Sequence, residues 1–345
     1  METTIFDRFR KSLVEARSNL TRWIATAPEQ QREARMAGAD ERAILERVKV
    51  IDSAIEKADA HTLGLCEVCH GYVDTDHLEM DYTASVCIDH FSEQERRQLE
   101  YELELAQSVQ RTLLPQHAPD IPGIEVGAFI RPAQIVGGDY FDFLQFGDGA
   151  FGLALADVAG HGMSASLHMA SVQTLLRTLA PASDGPTQVV QQIHHLFRHN
   201  IRFTTFVTLF LAAFDPKTRA LTYCNAGHNP PILLRQQGRQ VNAPIWLEPT
   251  GPAIGLVEDF EYRTERVNLA PGDICVLYTD GITEAFNGNR EMFGKERLAE
   301  VIQQKSWLPA RDLVGMVRRR VEEFIGDNPL EDDATVLVLK VAEGD

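Results

Sequence analysis

Two sets of residues in this 345-residue chain have types and spacings that could do chemistry, and the two are of different kinds. Cys66-Glu-Val-Cys69, seventeen intervening residues and Cys87-Ile-Asp-His90 make two ligand pairs with the spacing of a structural zinc ribbon. Three thiolates and one imidazole fill a tetrahedral shell and leave no position open for a catalytic water. The competing reading is a small core of unligated cysteines, but so short a segment has few other means of holding a fold. The second set is acidic: Asp139 in VGGDYFDF, Asp157 in LADVAGHG, Asp280 in LYTDGITE and Asp332 in EDDATVLVL each stand where an apolar run ends in a turn.

An aspartate at a turn is usually only a turn former. Four of them at the ends of buried strands would bring like charges together in a largely dry setting, which is unfavourable unless cations occupy it. Oxygen ligands without an accompanying His or Cys favour a hard ion, Mg²⁺ or Mn²⁺, over zinc. Two such ions about 3.5–4 Å apart can share a carboxylate and a water, and the bridging water then attacks phosphorus in line with no covalent phospho-enzyme.

The elements that must position these residues follow from pattern. Residues 1–60 carry apolar stripes at helical spacing, Leu13, Ala16, Leu20 and Ile24, then Ile44, Val48, Ile51 and Ile55. They predict two antiparallel helices with a turn around 36–40. Ser92 with Glu95 three residues on predicts a capped helix over 92–114, with Leu99, Leu103, Ala106, Val109 and Leu113 on one side and Pro115 as its stop. That helix either pairs with a second copy or packs on its own domain.

Beyond it, short apolar runs such as GIEVGAFIRP, FGLALADV, TTFVTLFLAAFD, ALTYCNAG and DICVLYTDG alternate with helical stretches near 162–180, 187–200 and 294–325. The expected organisation is 1–92, a linker helix 93–115, and one mixed α+β domain over 116–345. A formal charge of -17 is spread over the chain: residues 1–92 hold 11 Lys/Arg against 17 Asp/Glu. A nucleic-acid backbone would be repelled by both parts, so no nucleic-acid partner is expected. With no apolar stretch of spanning length and a charged N-terminus, neither a membrane partner nor secretion is expected, and the predicted location is cytoplasmic.

ELELAQSVQRTLLP, RPAQIVGGDYFDF, ADVAGHGMSASLHMA, FVTLFLAAFD, YCNAGHNPPILL, GPAIGL, LYTDGITEA and EDDATVLVL, in this order, resemble the SpoIIE/RsbU branch of the PPM-type serine/threonine phosphatases. The resemblance covers roughly 100–342. It implies an αββα sandwich with two Mn²⁺ or Mg²⁺ ions at one edge, Asp157 bridging them, the Val158 carbonyl touching one, and Asp139, Asp280 and Asp332 completing the set. Asp333 is the alternative to Asp332. His161 matches a position where a histidine can protonate the leaving alkoxide, with packing or phosphate binding as other roles. His228 is expected to organise its turn through hydrogen bonds. The segment up to His90, with the helices before it, looks like the zinc finger and coiled coil of the DksA/TraR family, although Gly38-Ala39-Asp40-Glu41-Arg42-Ala43 departs from the usual two spaced aspartates at the tip.

The leading expectation is hydrolysis of phosphoserine or phosphothreonine on a regulatory protein, by resemblance a STAS-type anti-sigma-factor antagonist, with a homodimer through the linker helix as a further expectation. Two alternatives are a DksA-type regulator that binds RNA polymerase, opposed by the altered tip, and a catalytically dead scaffold, opposed by the intact aspartate set.

Overall fold

The computed structural model describes residues 10, 13, 14, 17, 21, 41–73, 85–160, 162–200, 206–237, 240–257 and 259–342. The predicted turn at 36–40, the stripe residues Ala16, Leu20 and Ile24, and His161 lie outside them. The chain divides into two compact units, Met1–Glu102 and Leu103–Asp345, with the division inside the linker helix.

In the first unit, α1 (Glu41–Asp59) buries Ile51, Ala54 and Ala58 against Leu13 and Leu63. Arg10 bonds Asp59, and Arg17, seven residues on, pairs with Asp52, seven residues back. The described residues 10, 13, 14, 17 and 21 are helical, and this pairing runs them antiparallel to α1. α2 (Glu93–Leu113) opens with a reciprocal capping box: Glu95 N donates to Ser92 Oγ at 3.3 Å, and Ser92 N donates to the Glu95 carboxylate at 2.8 Å.

The second unit is a sandwich of two five-stranded antiparallel sheets. One runs β1 (Ile124–Arg131), β12 (Ala334–Val341), β11 (Ile274–Tyr278), β6 (Ile232–Leu234), β9 (Ile245–Trp246); the other runs β10 (Glu265–Asn268), β5 (Ala220–Ala226), β4 (Val207–Asp215), β3 (Phe151–Val158), β2 (Tyr140–Gln145). A two-stranded ribbon joins β7 (Gln236–Gln237) to β8 (Gln240–Val241). Helices α3 (Gly162–Leu179) and α4 (Pro186–Asn200) cover the second sheet; after the short α5 (Asp280–Thr283), α6 (Lys295–Gln304) and α7 (Ala310–Ile325) cover the first.

Alternation along the strands builds the layers. In β12, Val336 and Val338 face the helices while Leu337 and Leu339 join Leu153, Leu155 and Phe210 between the sheets. Strands covered on both faces read as continuous apolar runs, and every residue of β12 is buried. The architecture is the expected αββα sandwich. The predicted helical stretch 294–325 is instead two helices, broken at Trp307-Leu308-Pro309, because proline supplies no N–H to a continuing helix. A turn at Asp215 joins β4 to β5: its carboxylate accepts from Lys217 N at 2.9 Å and Thr218 Oγ1 at 2.7 Å.

Candidate metal centres

Antiparallel pairing decides where the acidic residues fall. Asp139 directly precedes β2 and Asp157 lies near the end of β3, so the β2–β3 pair places both at one edge. Asp280 follows β11 and Asp332-Asp333 precede β12, which pair likewise. The two edges are stitched together through Asp139. Its Oδ2 accepts Thr279 Oγ1 at 2.8 Å and Thr335 Oγ1 at 2.5 Å, both from strand ends of the opposite sheet.

The electrostatics are those of a crowded acid cluster. Burial, then the charges of Asp157 and Asp333, hold the Asp139 carboxyl well above the usual carboxylate range, although the two threonine hydroxyls pull it back. Asp157 is raised by burial and then by Asp280, Asp332 and Asp333. Asp280 is raised by burial and by Asp332. Each group therefore senses its neighbours as like charge, and a divalent cation is the species that would relieve that repulsion.

Asp332 and Asp333 differ in what their oxygens do. Asp333 is buried, and its carboxylate accepts Ala133 N at 2.8 Å and Gly138 N at 2.6 Å. Asp332 is exposed, and one of its oxygens accepts Asp333 N at 2.8 Å. Val158 is buried, and its carbonyl faces Gly138 so closely that a Cβ there would lie 2.8 Å from it. His161 falls outside the described residues. His228 organises its turn: its N–H donates to Asn225 Oδ1 at 2.8 Å and its Nδ1 lies 2.8 Å from Thr208 Oγ1. Burial pushes its imidazole down to about 3, so it is neutral at physiological pH.

In the first unit, the ligand atoms of Cys66, Cys69, Cys87 and His90 all lie within 4.8 Å of one another. The Sγ of Cys66 accepts the N–H groups of Val68 and Cys87, each at 3.4 Å. Burial pushes that thiol up, and backbone N–H bonds more than offset it, leaving it lowered to about 6. Such N–H donation stabilises a thiolate, the form that ligates a metal. The donor set and its convergence fit zinc, whereas the aspartates offer oxygens alone, the donors of a hard cation.

Three features escaped the sequence reading. Thr279 and Thr335 are the cross-sheet donors to Asp139, and their positions beside Asp280 and Asp333 were the available signal. The third is Gln110, the one buried residue of α2, while Val109, assigned to the apolar stripe, is 51% exposed. The spacing Leu99, Leu103, Ala106, Gln110, Leu113 repeats four and three and would have marked it.

The sequence profile of Stage II sporulation protein E (SpoIIE) matches residues 147–342, more than half of the chain. Phosphoserine phosphatase RsbU of Bacillus subtilis is 29% identical over 245 residues, covering 71% of each chain. Phosphoserine phosphatase RsbP of the same organism is 26% identical over 53% of this chain and 45% of its own length. The solved SiaA-PP2C domain of Pseudomonas aeruginosa superposes with a TM-score of 0.62 at 24% identity, over 71% of this chain and 98% of that one, and shares the fold. Among the described residues no helix is long and apolar enough to cross a membrane. With these likenesses and the acidic edge of the sandwich together, the chain belongs to the SpoIIE family and is a PPM-type protein phosphatase of the SpoIIE/RsbU kind.

Proposed function

We propose that this phosphatase hydrolyses phosphoserine or phosphothreonine on a regulatory protein of the STAS type in the cytoplasm, using two Mn²⁺ or Mg²⁺ ions. The observation that carries the reading is the group of aspartates from separate segments that raise one another's pKa at a single sandwich edge. When bound, paired hard cations lower the pKa of water and neutralise phosphoryl charge. Asp139, Asp157, Asp280, Asp332 and the Val158 carbonyl would hold them. Asp332 is preferred to Asp333 because the oxygens of Asp333 are engaged by the backbone N–H groups of Ala133 and Gly138. Asp139 is oriented by Thr279 and Thr335, which leaves Oδ1 for an ion. His161 is the candidate donor of a proton to the leaving alkoxide. The naming of RsbU and RsbP as phosphoserine phosphatases supports the residue class of the substrate.

Cys66, Cys69, Cys87 and His90 would hold one structural zinc in a DksA/TraR-like module over 1–92. That module serves as an input to the phosphatase domain at 116–345 through the linker helix 93–115, where a second copy would also pair. Phosphate release from a panel of phosphorylated STAS proteins in Mn²⁺ tests the proposal. Release from one of them, abolished when its phosphorylated residue is replaced by alanine, is the expected result. Failure to release phosphate from any phosphoseryl or phosphothreonyl protein would sink it.

A further inference from the structure

α2 is polar on most of its surface, and its one buried side chain is an amide. A buried amide without partners costs on the order of 1–3 kcal/mol, so Gln110 requires an explanation that the helix itself does not supply. The partner is a single residue. Gln110 Nε2 donates to the Gly137 carbonyl at 2.6 Å, and Gly137 N donates to Gln110 Oε1 at 3.2 Å. One turn earlier on the same face, Gln107 Nε2 donates to the Ile135 carbonyl at 3.2 Å.

The segment so held has no regular structure between β1 and β2. Its backbone groups must therefore find partners outside any ladder. Asp333 engages it from the other side, at Ala133 N and Gly138 N. Gly137 is pressed between the two: a Cβ there would lie 2.2 Å from an Asp333 carboxylate oxygen, so any side chain would have to displace that carboxylate from its backbone partners. Two residues on stands Asp139. A loop fixed through both backbone polar groups of one residue cannot slide or rotate without breaking a buried pair of bonds.

We propose that Gln110 is a positioning residue for the metal-binding edge: by clamping Gly137 it sets where the Gly138-Asp139 segment lies relative to Asp333 and so fixes the ligand geometry. The inference rests on the reading of Asp139 as a metal ligand. Gln110 touches neither substrate nor ion and acts only through the backbone it holds.

The test is Mn²⁺ binding measured directly, by the electron paramagnetic resonance signal of free Mn²⁺, alongside the Mn²⁺ dependence of turnover, on the full chain. Gln110→Met keeps volume and helix propensity and deletes only the hydrogen bonds; Gln110→Ala also removes the packing. Both variants are expected to need about tenfold more Mn²⁺ for half-saturation, with turnover recovering as Mn²⁺ is raised and KM for the phosphoprotein unchanged. Should Gln110→Ala fail to fold, Gln110→Met decides. Wild-type half-saturation in a folded Gln110→Met protein overturns the role, even if its thermal stability is lowered. A wild-type chain that binds no Mn²⁺ overturns instead the metal reading beneath it.

Discussion

The two candidate centres reach a ligand set by opposite routes. The four ligands of the first unit come from one stretch of 25 residues, Cys66 to His90, and converge to within 4.8 Å. The local core beside them is small, with Cys66 and Val73 its buried members. There the ion would supply the fold. In the second unit the aspartates come from positions 139 to 332, and three layers of apolar packing deliver them to one edge. There the fold supplies the site and holds it against its own repulsion, a cost that a rigid interior can bear and a short ribbon cannot.

Asp157→Asn should break the comparison most sharply. It is expected to lower turnover at least about a thousandfold, equivalent to about 4 kcal/mol in the barrier, while elemental analysis still finds about one zinc per chain. Zinc loss together with activity would mean that the centres are not separable.

Cys69→Ser comes next. Structural zinc contributes on the order of 10 kcal/mol to the folding of small modules, so zinc should leave and limited proteolysis should open residues 41–92. The Mn²⁺ concentration that half-activates turnover should stay where it was. A moved Mn²⁺ requirement would show that the ribbon shapes the second centre.

How far each centre could be read in advance follows from the same contrast. The ribbon is legible because its candidate ligands lie close in sequence, and the aspartates because each borders an apolar run. Gln110 was missed because a polar side chain is not counted into an apolar stripe, although its place in the four-and-three spacing marked the buried face. Counting Val109 into the stripe shifted its phase by one residue. The proposed preference for Asp332 over Asp333 rests on which carboxylate the distant Ala133 and Gly138 amides engage, a contact across about 200 residues that no spacing rule encodes. Strands β1, β3, β4, β5 and β11, by contrast, were plain from their apolar runs, while the short polar β7, β8 and β10 left no such mark.

The smallest expected effect, read per pH unit, sharpens the view of the second unit as a rigid interior. His228 is neutral when folded, with its pKa held at about 3 against an ordinary 6.5. Its contribution is fully present above pH 6.5. Between pH 6.5 and 3 the unfolded chain binds a proton that the folded chain refuses, so stability falls by about 1.4 kcal/mol per pH unit. Urea titrations across that window should show a shallower slope for His228→Gln by that amount. Equal slopes would mean that the imidazole charges in place.

β12 lies between β1 and β11, is buried on both faces and directly follows Asp332-Asp333. It is also the last strand of the sandwich to be synthesised. Until it emerges from the ribosome, β1 and β11 have no shared neighbour, the interlayer between the sheets lacks Leu337 and Leu339, and the acidic edge is incomplete. A chain stopped short of residue 332 would be inert as a hydrolase and would expose two unpaired strand edges, the kind of product that quality-control proteases clear.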